Sequence, residues 1–406
     1  MPENLSSVFT AIAYKKLVPI DLPGRGPGHG HQHELDGVAR LREFFREGPL
    51  SGDITWHYFS DDQDVLSEAG YFKFYDAREN HPTRTEWRLY YSGEFLKHAR
   101  ARDVLLLLRL QNGNIHGLIF AEDSSWLRSA EFLFPIPEAR KQLLLIPDDL
   151  LQEQQLDFAR RRILEELGIE AEVPVLAGDE DLAAQELAAA RRNNRDFPTT
   201  ARMSELARSL VQVDYRDGDS ALIALVDREE RLFRAMEKIL VEERLRRHFT
   251  SVDDFISYSL SVQNRRKSRM GYALQNHLAH IFTENRLRFE PQVHTEGNRT
   301  PDFLFPGSRE YHDQAFPADL LVMLAAKSSC KERWRQILDE ADRIPGKHLC
   351  TLEPSISTDQ LDMMAERKVQ LVVPRTLHTT YNPDRLDTIW SVNRFIEHVR
   401  TRQALP

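Results

Sequence analysis

The run Leu320-Leu-Val-Met-Leu-Ala-Ala326 is apolar at every position and then meets Lys327. A strand with one wet face alternates polar and apolar residues, whereas a run apolar throughout belongs inside a sheet covered on both sides. This run therefore predicts a central, buried strand in a layered α/β domain, with a lysine at its end. On one side lies Thr300-Pro-Asp-Phe-Leu-Phe-Pro306, a short apolar strand with Asp302 at its start. On the other side, Trp334, Ile337, Leu338, Ala341 and Ile344 recur at helical spacing, which predicts an amphipathic helix running to Arg343. Arg333, Gln336 and Glu340 form a polar stripe on that helix, so Glu340 is expected to turn toward Asp302 and Lys327.

Two carboxylates and a lysine at strand ends suit phosphodiester hydrolysis. Mg²⁺ takes oxygen ligands, uses one or two protein carboxylates and keeps waters for the reaction. A lysine leaving a buried strand is placed to touch a phosphate or an attacking water. As a bare triplet the pattern is common by chance; its strand–lysine–helix setting is what gives it weight.

The rest of the chain frames this segment. Its 406 residues suffice for two or three domains. No run of about 18 apolar residues and no charged-then-apolar leader occurs, so neither a membrane span nor secretion is expected. Cys330 and Cys350 are too few for a disulfide scaffold and read as reduced thiols of a cytoplasm. A net charge of −9 disfavours a protein that coats DNA indiscriminately, but not one that reads it through local basic clusters.

The first region, residues 1–175, reads β-rich, with strands expected at Thr55–Phe59, Tyr71–Tyr75, Glu86–Tyr91 and Val104–Leu110. Asn112-Gly113 between two apolar runs is a hairpin signal. Short strands with frequent turns suggest a small barrel or sandwich. His29, His31 and His33 alternate in a glycine-rich stretch with no second zinc-like cluster nearby, and read as loop. A helix is expected over Gln152–Leu167. An Ala/Glu-rich stretch, residues 176–195, reads as a helical linker. Residues 196–406 form the second domain, with helices at Ser204–Val211, Leu225–Arg247 and Tyr272–Asn285. Strands at His348–Leu352 and Val369–Val373 then argue a mostly parallel sheet flanked by helices. Arg265, Arg266, Lys267 and Arg269 form a basic cluster, either a solvated helix face or a phosphate-neutralising one.

Several motifs line up with one family. Thr295-Glu-Gly-Asn298, Pro301-Asp-Phe-Leu-Phe-Pro306, Tyr311-His-Asp313, Lys327 with Lys331-Glu-Arg-Trp-Arg-Gln-Ile-Leu338 and Glu340-Ala-Asp342, and Leu371-Val-Val-Pro374 resemble the catalytic domain of EcoRII-type restriction endonucleases, from about Phe249 to His378. The resemblance implies a PD-(D/E)XK nuclease core whose last acidic residue has moved onto the segment after the lysine. Asp302 and Glu340 would then hold the metal, Mg²⁺, and Lys327 would be the catalytic lysine. This family carries a glutamate where the present chain has Gln275, which can still hydrogen-bond a water. Its basic–acidic–Arg triplet corresponds to Lys331, Glu332 and Arg333, implying a palindromic CC…GG core read by a homodimer. The alternative for that triplet is a solvent-facing helix start. The family also flips bases, and the matching helix offers Phe233 for stacking, with Arg228 or Arg231 opposite; Phe233 reads equally as core.

A thinner resemblance covers the first region. Lys15-Lys-Leu17, Gly30-His-Gln32, Ser67-Glu-Ala69 and Thr83-Arg-x-Glu-x-Arg88 are similar to the B3-like DNA-binding domain of the same type. It implies a pseudobarrel with His31 in one DNA-binding arm and Arg84, Glu86 and Arg88 in the other, able to take a second copy of the double-stranded DNA as an allosteric effector. The whole would be a bacterial cytoplasmic enzyme. The rival expectations are a DNA-binding regulator on a degenerate nuclease fold, hinted at by Gln275, and a nuclease for RNA or modified DNA.

Overall fold

A computed structural model describes residues 3–405, apart from 24–32, 36, 47–49, 137–140, 172, 174, 331–332 and the side chain of residue 298. The chain divides into two compact units, Met1–Glu172 with Thr380–Asn382, and Val173–Thr379 with Pro383–Pro406. Among the described residues no helix is long and apolar enough to cross a membrane.

The first unit is built on strands β1 (Phe9–Lys16), β2 (Glu34–Leu35), β3 (Ser51–Phe59), β4 (Leu66–Asp76), β5 (Trp87–Tyr91), β6 (Val104–Leu110), β7 (Ile115–Phe120) and β8 (Leu144–Leu145). They form one sheet in the order β2-β5-β4-β3-β7-β6-β1-β8. Every pairing is antiparallel except β3–β7. β6 is buried on both faces of the sheet, which is why residues 104–108 read as an unbroken apolar run. Leu105 and Leu107 join a cluster with Trp56, Phe72, Phe74 and Tyr91. Leu106, Leu108 and Leu110 join the opposite one, under helices α2 (Ser125–Leu133), α3 (Asp148–Glu153) and α4 (Phe158–Glu166). The first cluster also takes in the short helix α1 (Leu41–Phe45) and gathers side chains from seven strands, from β2 across to β1. A flat sheet cannot bring these together, so the sheet is curled. Its outer strands, β2 and β8, are not hydrogen-bonded to each other.

Gly117 is required where it stands. A Cβ there would lie 2.0 Å from the Trp56 ring, which crosses β7 at this point and stacks on Phe95 at 3.8 Å. The Asn112-Gly113 hairpin forms as expected, with Gly113 at φ +88°. The expected helix over Gln152–Leu167 is instead two, because Asp157 caps a fresh start by accepting from the Arg160 amide at 2.9 Å.

In the second unit, α5 (Asp179–Arg192), α6 (Thr200–Leu210), α7 (Gly218–Arg246) and α8 (Val252–Glu284) form a helical layer. Ala183 and Leu187 of α5 are packed into the same cluster as Met203, Leu206, Leu232 and Met236. The stretch expected as a linker is thus part of this core. Beside the helices lies a sheet of β9 (Glu290–Pro291), β10 (Phe303–Phe305), β11 (Val322–Lys327), β12 (Lys347–Thr351) and β13 (Val369–Val372), with α9 (Ser308–His312), α10 (Thr358–Glu366) and α11 (Val392–Ala404) in its connections and after it. Strand order is β13-β12-β11-β10-β9. β11, β12 and β13 are parallel, but β10 and β9 run antiparallel. The sheet is therefore mixed rather than mostly parallel. β11 is the central, buried strand that its composition demands. Phe282 of α8 meets Phe303 and Phe305 edge-on at 5.4 Å each, fixing α8 against β10.

The expected helix from Lys327 to Arg343 is not formed. Among the described residues of this span only Trp334–Asp339 is helical, as a 3₁₀ segment, and Glu340 is already extended. Side chains have taken the backbone groups that a longer helix needs. Arg299 donates to the Asp339 carbonyl, Lys347 donates to those of Glu340 and Ala341, and Glu296 accepts from the Asp342 amide at 3.1 Å.

Burial in this unit also has a pH consequence. His348 on β12 packs among Trp390, Phe395 and His398, and burial lowers its pKa to about 3. Between that value and its ordinary 6.5 the unfolded chain takes a proton that the folded state refuses. Stability from this group is therefore present above 6.5 and lost as pH falls through the window. His348→Phe is expected to flatten that slope, measured as the urea-unfolding free energy at about pH 5 and about pH 7.

Candidate active site

Asp302 lies one residue before β10 and Lys327 is the last residue of β11. Antiparallel pairing of Phe303 with Leu324 sets these two strand ends side by side. Asp302 Oδ2 accepts from Lys327 Nζ at 3.0 Å and from the Ala326 amide at 2.7 Å. Its Oδ1 accepts from Gln275 Nε2 of α8 at 2.7 Å. The pair is well shielded, with side-chain exposures of 22% for Lys327 and 10% for Asp302.

Glu340 completes the group from a different local structure than expected. It reaches the site from the extended residue after the 3₁₀ segment. Burial pushes its carboxyl up to about 7, against the lowering effect of Lys327, and the neighbouring Asp302 charge adds to the rise. Its Oε2 is buried with no hydrogen-bond partner. A buried carboxylate oxygen without a donor is costly, and this one lies within the electrostatic reach of the Asp302 carboxylate. Among the described residues no group of three or more His, Cys, Asp or Glu forms a metal cage. Two carboxylates with an orphaned oxygen do fit a hard cation of the Mg²⁺ type, which relies on substrate oxygens and water for its remaining ligands.

The other candidates fall into two groups. Arg333 opens the 3₁₀ segment and is exposed; Lys331 and Glu332 lie outside the described residues. The loop ahead of them is tied down by Glu353, whose carboxylate accepts from the Cys330 amide at 2.9 Å. Of the basic cluster, Lys267 is exposed. Arg266 pairs with Glu237 at 2.7 Å, and Arg265 lies over the Phe197 ring. Arg269 also covers that ring and donates to the Pro198 carbonyl, and burial lowers its pKa to about 10. Three of these four cations therefore knit α8 to its neighbours. Phe233 is 5% exposed and packs on Phe197 at 5.2 Å. Arg228 is buried against Asp179, with contacts of 2.7 and 2.5 Å. Neither presents a face to a base here; the amphipathic spacing of α7 made them core.

In the first unit, Arg84 is exposed and His31 lies outside the described residues. Glu86 is held by Arg78 and Arg88, whose hydrogen bonds keep its carboxyl below the usual range. Arg88 also pairs with Glu34 at 2.7 Å, and Glu34 accepts from the Tyr75 hydroxyl. Sequence reading missed the part of Glu34 and Tyr75 in this network, because they come from separate segments of chain.

Residues 233–396 match the family described as EcoRII C terminal. The type II restriction enzyme EcoRII of Escherichia coli is 46% identical over 186 residues, which is 46% of this chain and 46% of that enzyme. The match thus spans about half of that relative's length. Fainter likenesses in chain trace extend to two solved DNA complexes. Metal-depleted Ecl18kI with uncleaved, modified DNA gives a TM-score of 0.43 at 16% identity, over 56% of this chain and 85% of the other. The PspGI–substrate DNA complex gives 0.42 at 16% identity, over 51% and 93%.

Proposed function

We propose that this protein is a Mg²⁺-dependent type II restriction endonuclease that hydrolyses double-stranded DNA at a palindromic site with a CC…GG core. The observation that carries the reading is the convergence of Asp302, Lys327, Gln275 and Glu340 on one spot at the ends of β10 and β11. The 46% identity to EcoRII over 186 residues supports it.

Asp302 and Glu340 would hold the cation. When bound, Mg²⁺ supplies Lewis-acid polarisation of the phosphate and activation of a water. Lys327 Nζ, 3.0 Å from Asp302, is placed to stabilise charge developing on a phosphoryl oxygen. Gln275 and the Ala326 amide fix the Asp302 carboxylate by donating to its two oxygens. The ionised form of the Glu340 carboxyl is the one that would ligate, and Lys327 favours that form against burial. Arg333 is the described member of the readout triplet, suited to guanine O6 and N7.

The N-terminal region, residues 1–175, would be a B3-like domain binding a second DNA copy as effector, with Arg84 and the Arg78–Glu86–Arg88 network at its DNA surface. A palindrome calls for a two-fold partner. Val252, Phe255, Ile256 and Leu260 lie exposed on α8 at helical spacing, and form an apolar stripe suited to a second copy of this chain. Phe255→Glu combined with Leu260→Glu is expected to halve the mass measured by light scattering. An unchanged mass would place the dimer surface elsewhere.

One observation favours a rival, a DNA-binding regulator. Gln275 stands where the family resemblance calls for glutamate, and it occupies Asp302 Oδ1. Plasmid digestion with Mg²⁺ against EDTA separates the two readings. Linear product only with Mg²⁺ supports the nuclease; a DNA shift without cutting in either buffer supports the regulator.

A further inference from the structure

Lys347 opens β12 and is 5% exposed. A buried ammonium ordinarily sits on a carboxylate. This one donates instead to two main-chain carbonyls, those of Glu340 and Ala341, the second at 2.7 Å. Those residues form a tight bend: Glu340 is extended, and Ala341 takes φ +52°, a left-handed conformation that costs a residue with a Cβ about 1 kcal/mol or more. Such a conformation persists only where its surroundings impose it. The surroundings are specific. Glu296 accepts from the Asp342 amide at 3.1 Å and from the Tyr311 hydroxyl at 2.5 Å. Arg343 donates to the carbonyls of Asp313 and Phe316, at 3.0 and 2.9 Å. Lys347 alone among these holds the carbonyl of Glu340 itself, and it leaves that residue's side-chain oxygens unengaged. One of them is the buried oxygen without a partner.

We infer that Lys347 is a positioning residue for divalent-cation binding: its ammonium pins the bend at Glu340–Ala341 so that the Glu340 carboxylate is held against Asp302. The inference rests on the nuclease reading of the site. It also accounts for Thr295-Glu-Gly-Asn298 and Tyr311-His-Asp313, which the site chemistry left without a role: Glu296 and Tyr311 brace the far side of the same bend.

The test is Lys347→Met, which keeps the stem and removes the charge, with folding checked by thermal melt. Mn²⁺ binding to the protein alone is read by electron paramagnetic resonance, beside the Mg²⁺ concentration for half-maximal cleavage. Both are expected to weaken by roughly 10- to 100-fold, the usual effect of losing a group that orients a metal ligand. DNA affinity in EDTA should stay at the wild-type level, and cleavage should recover at high Mg²⁺. Adding Ala341→Gly to Lys347→Met should restore part of the loss, because glycine takes a positive φ without strain. If Lys347→Met does not fold, Lys347→Gln, which keeps a donor for one carbonyl, should show a smaller weakening of the same kind. Wild-type Mn²⁺ affinity in either folded variant, with binding lost in Asp302→Ala, overturns the role of Lys347 and leaves the nuclease reading intact. Mn²⁺ binding that Asp302→Ala does not disturb overturns the nuclease reading itself.

Discussion

Asp302→Ala is expected to reduce Mg²⁺-supported DNA cleavage by about 10³-fold or more while leaving DNA binding in EDTA largely intact. The size follows from what one side chain does. Asp302 is one of two carboxylates that the described residues bring to the spot, and it orients Lys327 through a 3.0 Å contact. Its loss would remove a proposed cation ligand and leave the Lys327 ammonium shielded without its partner. Charge stabilisation by a bound cation is worth several kcal/mol, and each 1.36 kcal/mol is tenfold in rate. Single-turnover cleavage with saturating enzyme isolates that step from binding. A variant cleaving at the wild-type rate would remove Asp302, and with it the whole site, from the reaction.

Arg333→Ala is expected to abolish discrimination rather than chemistry. The side chain is exposed at the start of the 3₁₀ segment, six residues beyond Lys327, on a loop anchored by Glu353. One bidentate guanine contact is worth about 1–3 kcal/mol of preference over the wrong base. In the proposed symmetric dimer the contact would be made twice, so the specific-to-nonspecific cleavage ratio should fall by roughly 10²-fold or more. Oligonucleotides carrying the site or a single substituted G·C pair, compared at one salt concentration, give that ratio. A retained preference at every position would assign the reading role elsewhere.

Much of the second unit was legible because its signals are local. The all-apolar run before Lys327 can only be an inner strand, and Asp302 at the head of Phe303–Phe305 follows from Pro-Asp before an apolar triplet. Glu340 was placed at the site for the wrong local reason. The helical stripe from Trp334 to Ile344 is real as a pattern, but Arg299, Lys347 and Glu296 compete for its carbonyls and amides and end the helix at Asp339. Such competition comes from residues distant in sequence and leaves no periodic trace. Lys347 itself reads as an ordinary strand start. The same holds for Arg265, Arg266 and Arg269, whose clustering suggested a phosphate surface while Glu237 and Phe197, far along the chain, took them inward. In the first unit the turn chemistry of Asn112-Gly113 was readable, but the parallel β3–β7 pairing and the curl it produces join segments some sixty residues apart, beyond any local signal.

The most direct measurement is a digest of phage DNA by the purified protein with Mg²⁺, followed by sequencing of the fragment ends. Discrete fragments whose ends share one CC…GG context, absent in EDTA and absent with Asp302→Ala, are the predicted result. Undigested DNA, even with added oligonucleotide carrying CC…GG sites, or ends scattered without a common sequence, would contradict the account.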